Sequence, residues 1–430
     1  MNGETGLNIA IGVDVCPAPG FVSAGWAPGA DVPFCPEDGF SYPDGVAGVI
    51  VCDASVADLS DTTLLRVLLE CRRVLRPLGA IRIVLPSRAR ESALLRLGSL
   101  MGLVRTDQAP VHEGANAFEF IKPDRQVTGN PMVSILIPAY NPRFFAACLD
   151  SALAQTYDNV EIVVCDDSPD SAIEDLVLTR ASSRPIRYER NPVRLGVRAN
   201  YRRCFEAARG EFVKFLCDDD LLAPGCVTRL LDAFRRAPNV TLATSHRQRI
   251  DTDGHRLVDQ PATMPIVGKD TLIAGYTLQN AMLMAGLNIV GEPSTTLFRK
   301  ADLLDQAPGY FGFDGVAGHG IIDMVTWSAL LLKGDAVYLR ESLSSFRIHP
   351  GQRQHDPAKM RRNVDSIRGL QAAWLALGLH ERIARDRLLA KPFPPLAESE
   401  WQAQEVPSLP KPQFAQAEWT FTLNARTAWG

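Results

Sequence analysis

Short apolar runs alternate with stretches of helical periodicity through the middle of the chain, and this alternation constrains the fold more than any other feature. The apolar runs predict strands at Val133–Ile137, Val160–Val164 and Phe212–Leu216. Helical patterns lie between them, at Arg143–Gln155 and at about Leu195–Ala208. Because strands separated by helices form parallel sheets that the helices cover, we predict an α/β domain over residues 132–350. Its ligands should bind at the carboxyl ends of the strands.

A second, weaker alternation precedes this domain. Its strands are predicted at Leu7–Ile11, Gly48–Cys52 and Ala80–Leu85. A helix is predicted from about Leu64 to Leu75, with Ser60 and Asp61 as candidate caps. Residues 125–131 lie in a polar stretch with Pro, Gly and Asn, which predicts a linker there. We therefore predict a separate α/β domain over residues 1–124.

The chain changes character after residue 350. A helical pattern runs from about Met360 to Ala390, with four apolar residues on one face: Val364, Ile367, Leu370 and Trp374. A Pro-rich tail with isolated aromatic residues follows. Two interpretations of the tail stay open, an arm that docks on the preceding domain or on a partner subunit, and simple disorder. We therefore assign residues 351–430 to a C-terminal helix and a Pro-rich tail.

Charge and cysteine usage narrow the class of partner. The formal net charge is -4 and the two signs are interspersed, so we expect no nucleic-acid partner. The nine cysteines include no C-x-x-C pair, which disfavours a zinc site and favours a reducing compartment. No signal-peptide pattern occurs, and no stretch reaches the roughly 18 to 20 apolar residues of a membrane span. We therefore expect a cytoplasmic protein, with peripheral contact with an inner membrane and homo-oligomer formation left open.

Three adjacent aspartates, Asp218, Asp219 and Asp220, follow Cys217 directly after a predicted strand. Carboxylates at this spacing repel one another unless a cation offsets their charge. Mg²⁺ and Mn²⁺ prefer such oxygen ligands and can bridge to a diphosphate. The bland alternative is a solvated acidic turn that caps a helix beginning at Leu221. The order of the surrounding motifs favours the metal site, with Mn²⁺ or Mg²⁺ as the cofactor.

Five motifs carry a resemblance to a known family: Val133-Ser-Ile-Leu-Ile-Pro-Ala-Tyr-Asn141, Ser151-Ala-Leu-Ala-Gln-Thr-Tyr157, Val163-Val-Cys-Asp-Asp-Ser168, Asn191-Pro-Val-Arg-Leu-Gly-Val-Arg-Ala-Asn200 and Gly210-Glu-Phe-Val-Lys-Phe-Leu-Cys-Asp-Asp-Asp220. In this order they resemble the nucleotide-binding half of the inverting family-2 glycosyltransferases. The resemblance implies a GT-A fold, which is a Rossmann-like mixed sheet. It also implies metal-dependent transfer of a sugar from a nucleoside diphosphate to a hydroxyl of a glycan, a lipid-linked acceptor or a protein.

The resemblance implies roles for individual residues. Tyr140 would stack on the base and Asp167 would accept a hydrogen bond from it, which suits the N–H edge of uracil or thymine and makes UDP or dTDP the expected nucleotide. The other nucleotide contacts are expected from Pro138, Ala139, Asn141, Arg194 and Asp218. The expected metal ligands are Asp219, Asp220 and His349. The expected contacts with the donor and acceptor sugars are Glu292 and Pro293. The alternatives are core packing for Tyr140, a loop and buried strand around Glu292, and a structural role for His349.

Asp323 is the predicted catalytic base. It lies in Gly320-Ile-Ile-Asp-Met-Val-Thr-Trp327, which resembles the helix start that carries the base in this family. An inverting transfer needs one base to take the proton of the acceptor hydroxyl. The family usually has Glu-Asp-Trp-Asp where this chain has only the one carboxylate, and the alternative is a carboxylate that the helix dipole stabilises. Cys217 is a second departure, since the family often has aspartate there, and it leaves the roles of the three carboxylates open by one position.

The segment from Leu7 to Pro123 resembles the class I S-adenosylmethionine-dependent methyltransferases, through Ile50-Val-Cys-Asp-Ala-Ser-Val56 and Leu69-Glu-Cys-Arg-Arg-Val-Leu-Arg-Pro-Leu-Gly-Ala80. One glycine follows its first strand, where a cofactor loop would need several. We therefore predict a degenerate methyltransferase-like domain that serves as a scaffold and binds no cofactor. The alternative for the whole chain is a non-catalytic ligand-binding or scaffold protein.

Overall fold

The computed structural model describes residues 7–11, 21–25, 32–33, 44–85, 88–106, 116–180, 184–304, 311–316, 318–352, 357–382, 387–395 and 399–406. The chain divides into two compact units, Met1–Arg125 with Leu375–Glu381, and Gln126–Trp374 with Arg382–Gly430. The division after Arg125 falls within the stretch predicted as a linker. The cofactor-loop segment after Ile11 and the tail from Pro407 onward lie outside the described residues.

The first unit contains a mixed sheet flanked by helices. Its strands are Leu7–Ile11 (β1), Phe21–Gly25 (β2), Val32–Pro33 (β3), Ala47–Cys52 (β4), Leu75–Leu85 (β5), Val104–Thr106 (β6) and Asn116–Ile121 (β7). Its helices are Asp61–Val74 (α1) and Glu91–Leu100 (α2). Within the described residues the strand order is β3-β2-β1-β4-β5-β7-β6, with β7 antiparallel to both neighbours. The predicted cap is confirmed, because Ser60 Oγ accepts a hydrogen bond from Thr63 N at the start of α1.

The second unit is built on a larger mixed sheet. Its strands are Val133–Ala139 (β8), Val160–Asp166 (β9), Ile186–Arg190 (β10), Phe212–Phe215 (β11), Leu221–Leu222 (β12), Val240–Ile250 (β13), Thr271–Ile273 (β14), Leu297–Arg299 (β15), Asp335–Arg347 (β16), Arg387–Pro392 (β17) and Gln402–Glu405 (β18). Its helices are Pro142–Leu153 (α3), Ala172–Thr179 (α4), Val197–Ala207 (α5), Cys226–Arg236 (α6), Gly275–Ala285 (α7), Ala301–Leu304 (α8), Ile322–Lys333 (α9) and Pro357–Ala376 (α10).

The order of these strands places the polar loops of the second unit at one edge of the sheet. Within the described residues the order is β10-β9-β8-β11-β15-β13-β16-β14-β17-β18, and β12 also pairs with β16. The strands β8, β9, β10 and β11 run parallel to one another. All seven residues of β8 are buried, as expected for a strand covered on both faces. The carboxyl ends of β8, β9 and β11 therefore converge, and they carry the predicted nucleotide and metal motifs.

The prediction that a helix begins at Leu221 is wrong. Leu221 and Leu222 form β12, which pairs with Ser345 and Ser344 of β16. The following helix, α6, begins only at Cys226. The steric reason is Pro224, because the residue before a proline is disfavoured in the helical region. The pairing also places Ser345 and Arg347 within β16, which ends two residues before His349.

The helix predicted to run to Ala390 ends at Ala376. Gly378 adopts a φ of 70°, a left-handed conformation that commonly terminates helices. Of the residues predicted to share a buried face, Leu370 and Trp374 are buried, whereas Val364 is 40% exposed.

The described part of the C-terminal tail forms an arm on the second unit. The strand β17 pairs with β14, and β18 pairs with β17, so both extend the large sheet. Phe393 and Trp401 pack against its hydrophobic core. For residues 387–395 and 399–406 the structure therefore agrees with the docked-arm interpretation.

Candidate active site

The loops after β8 and β11 are tied together by one carboxylate. Asp218 Oδ2 accepts hydrogen bonds from the backbone N–H groups of Tyr140, at 2.7 Å, and Asn141, at 2.8 Å. Burial and the neighbouring charge of Asp219 raise the pKa of Asp218 to about 7. Asp218 therefore joins the two motifs that the sequence assigned to nucleotide binding, with Pro138 and Ala139 at the buried end of β8.

Asp220 is held by two donors beneath the same loop. Ser294 Oγ donates to Asp220 Oδ2 at 2.6 Å, and the backbone N–H of Arg347 donates to Oδ1 at 3.0 Å. Burial raises the pKa of Asp220 well above its ordinary range, and the charge of Asp219 raises it further. Two donors therefore partly offset the cost of burying this carboxylate.

A buried lysine lies beneath the acidic triplet. Lys214, in β11, donates from Nζ to the carbonyl oxygens of Ser294 and Thr296. Burial lowers the pKa of Lys214, and the nearby charge of Asp220 acts in the opposite direction. Sequence reasoning did not select Lys214, although a lysine inside an apolar strand is a signal that could have found it.

Asp219 and His349 meet across the site. Their Oδ2 and Nε2 atoms lie 3.1 Å apart, and Arg347 Nε donates to the carbonyl oxygen of Asp219 at 2.9 Å. Two adjacent ligands of an octahedral ion, each about 2.1 Å from it, lie about 3 Å apart. The spacing and the oxygen and nitrogen donors therefore fit one divalent ion held by Asp219 and His349.

Cys217 brings a softer donor to the same place. Its Sγ and carboxylate oxygens of Asp219 and Asp220 all lie within 4.8 Å of one another. The Tyr201 hydroxyl and Cys217 Sγ form a hydrogen bond at 3.2 Å. The sequence treated Cys217 only as a missing aspartate, and only the fold shows that its thiol faces the predicted metal ligands.

Tyr140 and Asp167 are the residues predicted to bind the nucleobase. Tyr140 is 42% exposed, and Arg194 Cζ lies 4.5 Å from the centroid of its ring, so the arginine covers one face. The Asp167 carboxylate accepts from Asn191 Nδ2 and from the backbone N–H groups of Leu195 and Gly196, at 2.7 to 2.9 Å. Asp167 therefore anchors the loop before α5. Gly196 has a φ of 81°, a conformation that favours glycine.

Asp323 lies in the first turn of α9, away from the triplet in sequence. Asn288 Nδ2 donates to its Oδ2 at 2.7 Å, and its Oδ1 accepts from the backbone N–H of Met324 at 2.8 Å. Burial, together with the charge of Glu292, raises the pKa of Asp323 to about 6. A carboxylate with this pKa is ionised at neutral pH and is basic enough to accept a proton.

The predicted sugar contacts lie in the segment that supplies Asn288. Glu292 forms an ion pair with Arg247, whose side chain is buried, with Nε and Oε2 at 2.5 Å. Pro293 lines a cavity of about 710 Å³ together with Asp323. The structure therefore groups Glu292 and Pro293 with the candidate base. Asn288 and Arg247 were not among the sequence predictions, because their role depends on a contact between distant segments.

Comparisons with known proteins identify the family of the second unit. The family model described as Glycosyl transferase family 2 matches residues 134–303, which include the acidic triplet and end before Asp323 and His349. An uncharacterized protein of Mycobacterium tuberculosis is 30% identical over 249 residues, which are 54% of this chain and 72% of that protein. The chain belongs to glycosyl transferase family 2.

Another relative matches a smaller part of the chain, and a solved structure aligns at lower sequence identity. The chondroitin synthase of Escherichia coli is 31% identical over 146 residues, which are 33% of this chain but only 21% of that enzyme. The structure of Staphylococcus aureus TarS 1-349 in complex with UDP-GlcNAc aligns with a TM-score of 0.44 and 17% identity, covering 57% of this chain and 66% of that chain. Among the described residues of this family-2 protein, no helix is both long and apolar enough to span a membrane.

Proposed function

We propose that this family-2 transferase is a metal-dependent, inverting enzyme that moves a sugar from UDP or dTDP to an acceptor hydroxyl. The observation that carries the proposal is the pairing of Asp219 and His349 at 3.1 Å beside two further carboxylates, with a separate basic carboxylate at Asp323. The pair of Asp219 and His349 could bind a cation, and Asp323 could accept a proton. Inverting transfer requires both a charged leaving group to be stabilised and an acceptor proton to be removed.

The nucleotide would bind across the loops after β8 and β9. The exposed ring of Tyr140 would stack on the base by the face that Arg194 does not cover. The Asp167 carboxylate already accepts three hydrogen bonds from Asn191 and from the loop before α5. Because a carboxylate has about four acceptor positions, it can also accept a hydrogen bond from an N–H of the nucleobase. An N–H edge of this kind occurs in uracil and thymine, which supports UDP or dTDP.

Asp219 and His349 would hold Mn²⁺ or Mg²⁺, with Asp220 supporting them. The bound ion would stabilise the charge that develops on the leaving diphosphate. Asp218 would keep the Tyr140–Asn141 loop in place through its two hydrogen bonds. The hydrogen bond from Asn288 would keep Asp323 ionised and oriented toward the acceptor hydroxyl, from which Asp323 takes the proton.

The acceptor would be a glycan, a lipid-linked glycan or a protein. Similarity to chondroitin synthase over the matched 146 residues supports polysaccharide assembly as the setting. Cytoplasmic location, contact with an inner membrane and a homo-oligomeric state remain predictions from the sequence.

The test is a calorimetric titration of the protein with UDP, dTDP and GDP, with and without Mn²⁺. We expect UDP or dTDP to bind at least about tenfold more tightly with Mn²⁺ than without it, since an ion held by Asp219 and His349 would offset the charge of the diphosphate. Preference for GDP would leave the transferase proposal intact and correct the nucleotide. Absence of binding by all three nucleotides would favour the non-catalytic alternative.

For the first unit we propose a degenerate methyltransferase-like domain that acts as a scaffold. The central strands β1, β4 and β5 are parallel and α1 connects β4 to β5, which supports an α/β fold of this general class. Titration of the whole chain with S-adenosylmethionine should give no binding at micromolar concentrations. A micromolar dissociation constant would overturn the scaffold proposal and leave the transferase proposal untouched.

A further inference from the structure

The cavity of about 710 Å³ beside Asp323 has a volume within the range of about 300 to 1,000 Å³ that ligand sites occupy. Most of its wall comes from three segments of the second unit: the start of α5 with the loop before it, the loop Gly318–Gly320 with the start of α9, and α10. Pro293 and Phe311 complete the wall. Neither the acidic triplet nor His349 lines it. The cavity is therefore on the side of the candidate base, where the acceptor must present its hydroxyl.

The charge of the cavity wall is strongly biased. Arg198 and Arg202 come from α5 and Arg362 comes from α10, whereas Asp323 is the one carboxylate among the lining residues that the structure describes. Arg202 Nε also pairs with Glu206 at 2.9 Å. No hydrogen bond or ion pair joins Arg198 or Arg362 to another residue in the described part of the chain.

A bound anion would offset the positive charge of this cavity wall. Arg198 and Arg202 are four residues apart on one helix, so their like charges repel each other. Arg362 adds a third positive charge from a separate element. Guanidinium groups bind carboxylates and phosphates through paired hydrogen bonds, which gives an anion both charge compensation and a fixed orientation.

One polar atom of the cavity wall is closed to a ligand. Asn363 Oδ1 is buried and has no hydrogen-bond donor among the described residues. Asn363 follows Arg362 directly and also lines the cavity. Because this oxygen is enclosed and packs against Gly320, a ligand in the cavity does not reach it, and the arginines are the groups that would bind an anion.

We propose that the acceptor is an anionic saccharide, whose carboxylate or phosphate group binds Arg198 and Arg362 while its reactive hydroxyl faces Asp323. This inference rests on the proposed function, because it assigns the cavity to the acceptor of that reaction. The guanidinium groups anchor the acceptor by its charge. They do not take part in the transfer itself.

The test measures the affinity of the full chain, saturated with Mn²⁺ and the nucleotide that it binds, for three small probes. Methyl β-glucuronoside carries a carboxylate, glucose 1-phosphate carries a phosphate, and methyl β-glucoside is the neutral match. Ligand-observed NMR titration gives the three dissociation constants. We expect at least one anionic probe to bind about tenfold or more tightly than the neutral probe, and the tighter of the two identifies the group.

Two variants and a matched control locate the site. Arg198→Gln and Arg362→Gln should each weaken the anionic probe about tenfold and leave the neutral probe unchanged. Arg361→Gln removes a neighbouring exposed arginine of α10 that does not line the cavity, and it should change neither affinity.

Several results would overturn the inference. Equal binding of charged and neutral probes would do so, and so would unchanged anion affinity in both variants. If Arg198→Gln weakened nucleotide binding instead of probe binding, the arginine would belong to the donor diphosphate. These failures leave nucleotide binding intact, whereas failure of the proposed function appears as absence of nucleotide binding in the unmodified protein.

Discussion

The acidic triplet and Asp323 are both carboxylate centres that are partly or fully buried, yet the groups around them differ. In the triplet, each carboxylate has another as an immediate neighbour, and the charge of Asp219 raises the pKa of both Asp218 and Asp220. The pKa of Asp323 is raised mainly by burial of its carboxylate. Asn288 and the backbone N–H of Met324 donate hydrogen bonds to this carboxylate. Neighbouring like charges indicate a cation site, whereas a single, partly buried carboxylate with a raised pKa indicates a proton acceptor.

The contrast predicts that the acidic triplet binds metal and nucleotide, whereas Asp323 acts in the transfer step. A centre that holds a cation should control affinity for metal and diphosphate. A centre that accepts a proton should control the rate and its pH dependence, with little effect on nucleotide affinity. Four experiments test whether the acidic triplet controls affinity and Asp323 controls the rate.

The largest effect is expected for Asp323→Asn. The amide cannot act as a base, so release of nucleoside diphosphate from UDP and dTDP sugars, with water as the acceptor, should slow by roughly 10²- to 10⁴-fold. The nucleotide dissociation constant should stay the same, because Asp323 lies at the other centre. Calorimetry on the same sample checks this, and an equal loss of nucleotide affinity would break the comparison.

Asp219→Asn should act on binding instead. Loss of one charged ligand should weaken Mn²⁺ affinity by about 10- to 10²-fold, as judged from the roughly 1.5 to 3 kcal/mol of an interaction with a charged group. The matched control is Asp253→Asn in the exposed group of Asp251, Asp253 and His255, which also places three potential ligands together. Mn²⁺ affinity that depended on Asp253 rather than Asp219 would move the metal site to that surface.

The pH profile of the rate should follow Asp323. Its pKa is raised to about 6, so the base form is present above this pH and is lost as the pH falls. We expect kcat/KM for donor hydrolysis to fall about tenfold per pH unit below pH 6. Measuring the profile at saturating Mn²⁺ keeps metal binding from contributing, and a flat profile down to pH 5 would contradict the assignment of Asp323 as the base.

The smallest effect is expected for Ser294→Ala. Ser294 Oγ donates to Asp220 and accepts from the backbone N–H of Cys217, so it orients the triplet without binding the ion itself. Its loss should weaken Mn²⁺ affinity roughly tenfold, as for other groups that support ligands. Ser328→Ala is the matched control, because Ser328 Oγ is buried and has no hydrogen-bond partner among the described residues. Equal effects of the two variants would indicate a loss of stability rather than of orientation.

The sequence predicted much of the fold of the second unit. The bounds of β8, β9, α3 and α5 agree within a few residues with the apolar and helical patterns, because those patterns reflect which faces are buried. The short strand at Leu221–Leu222 was missed, since two residues carry no periodicity and their pairing partner Ser345 is distant in the chain. The end of α10 was also missed, because apolar residues that belong to β17 continue its pattern.

The sequence by itself determined the two α/β segments, the parallel strands of the second unit and the presence of three adjacent carboxylates at a strand end. These follow from local periodicity and composition. Only the tertiary structure decided that His349 meets Asp219, that Ser294 and Lys214 lie beneath the triplet, and that Asn288 bonds Asp323. Each of these contacts joins segments far apart in the chain, and the distance between such segments is set by how the strands order themselves in the sheet.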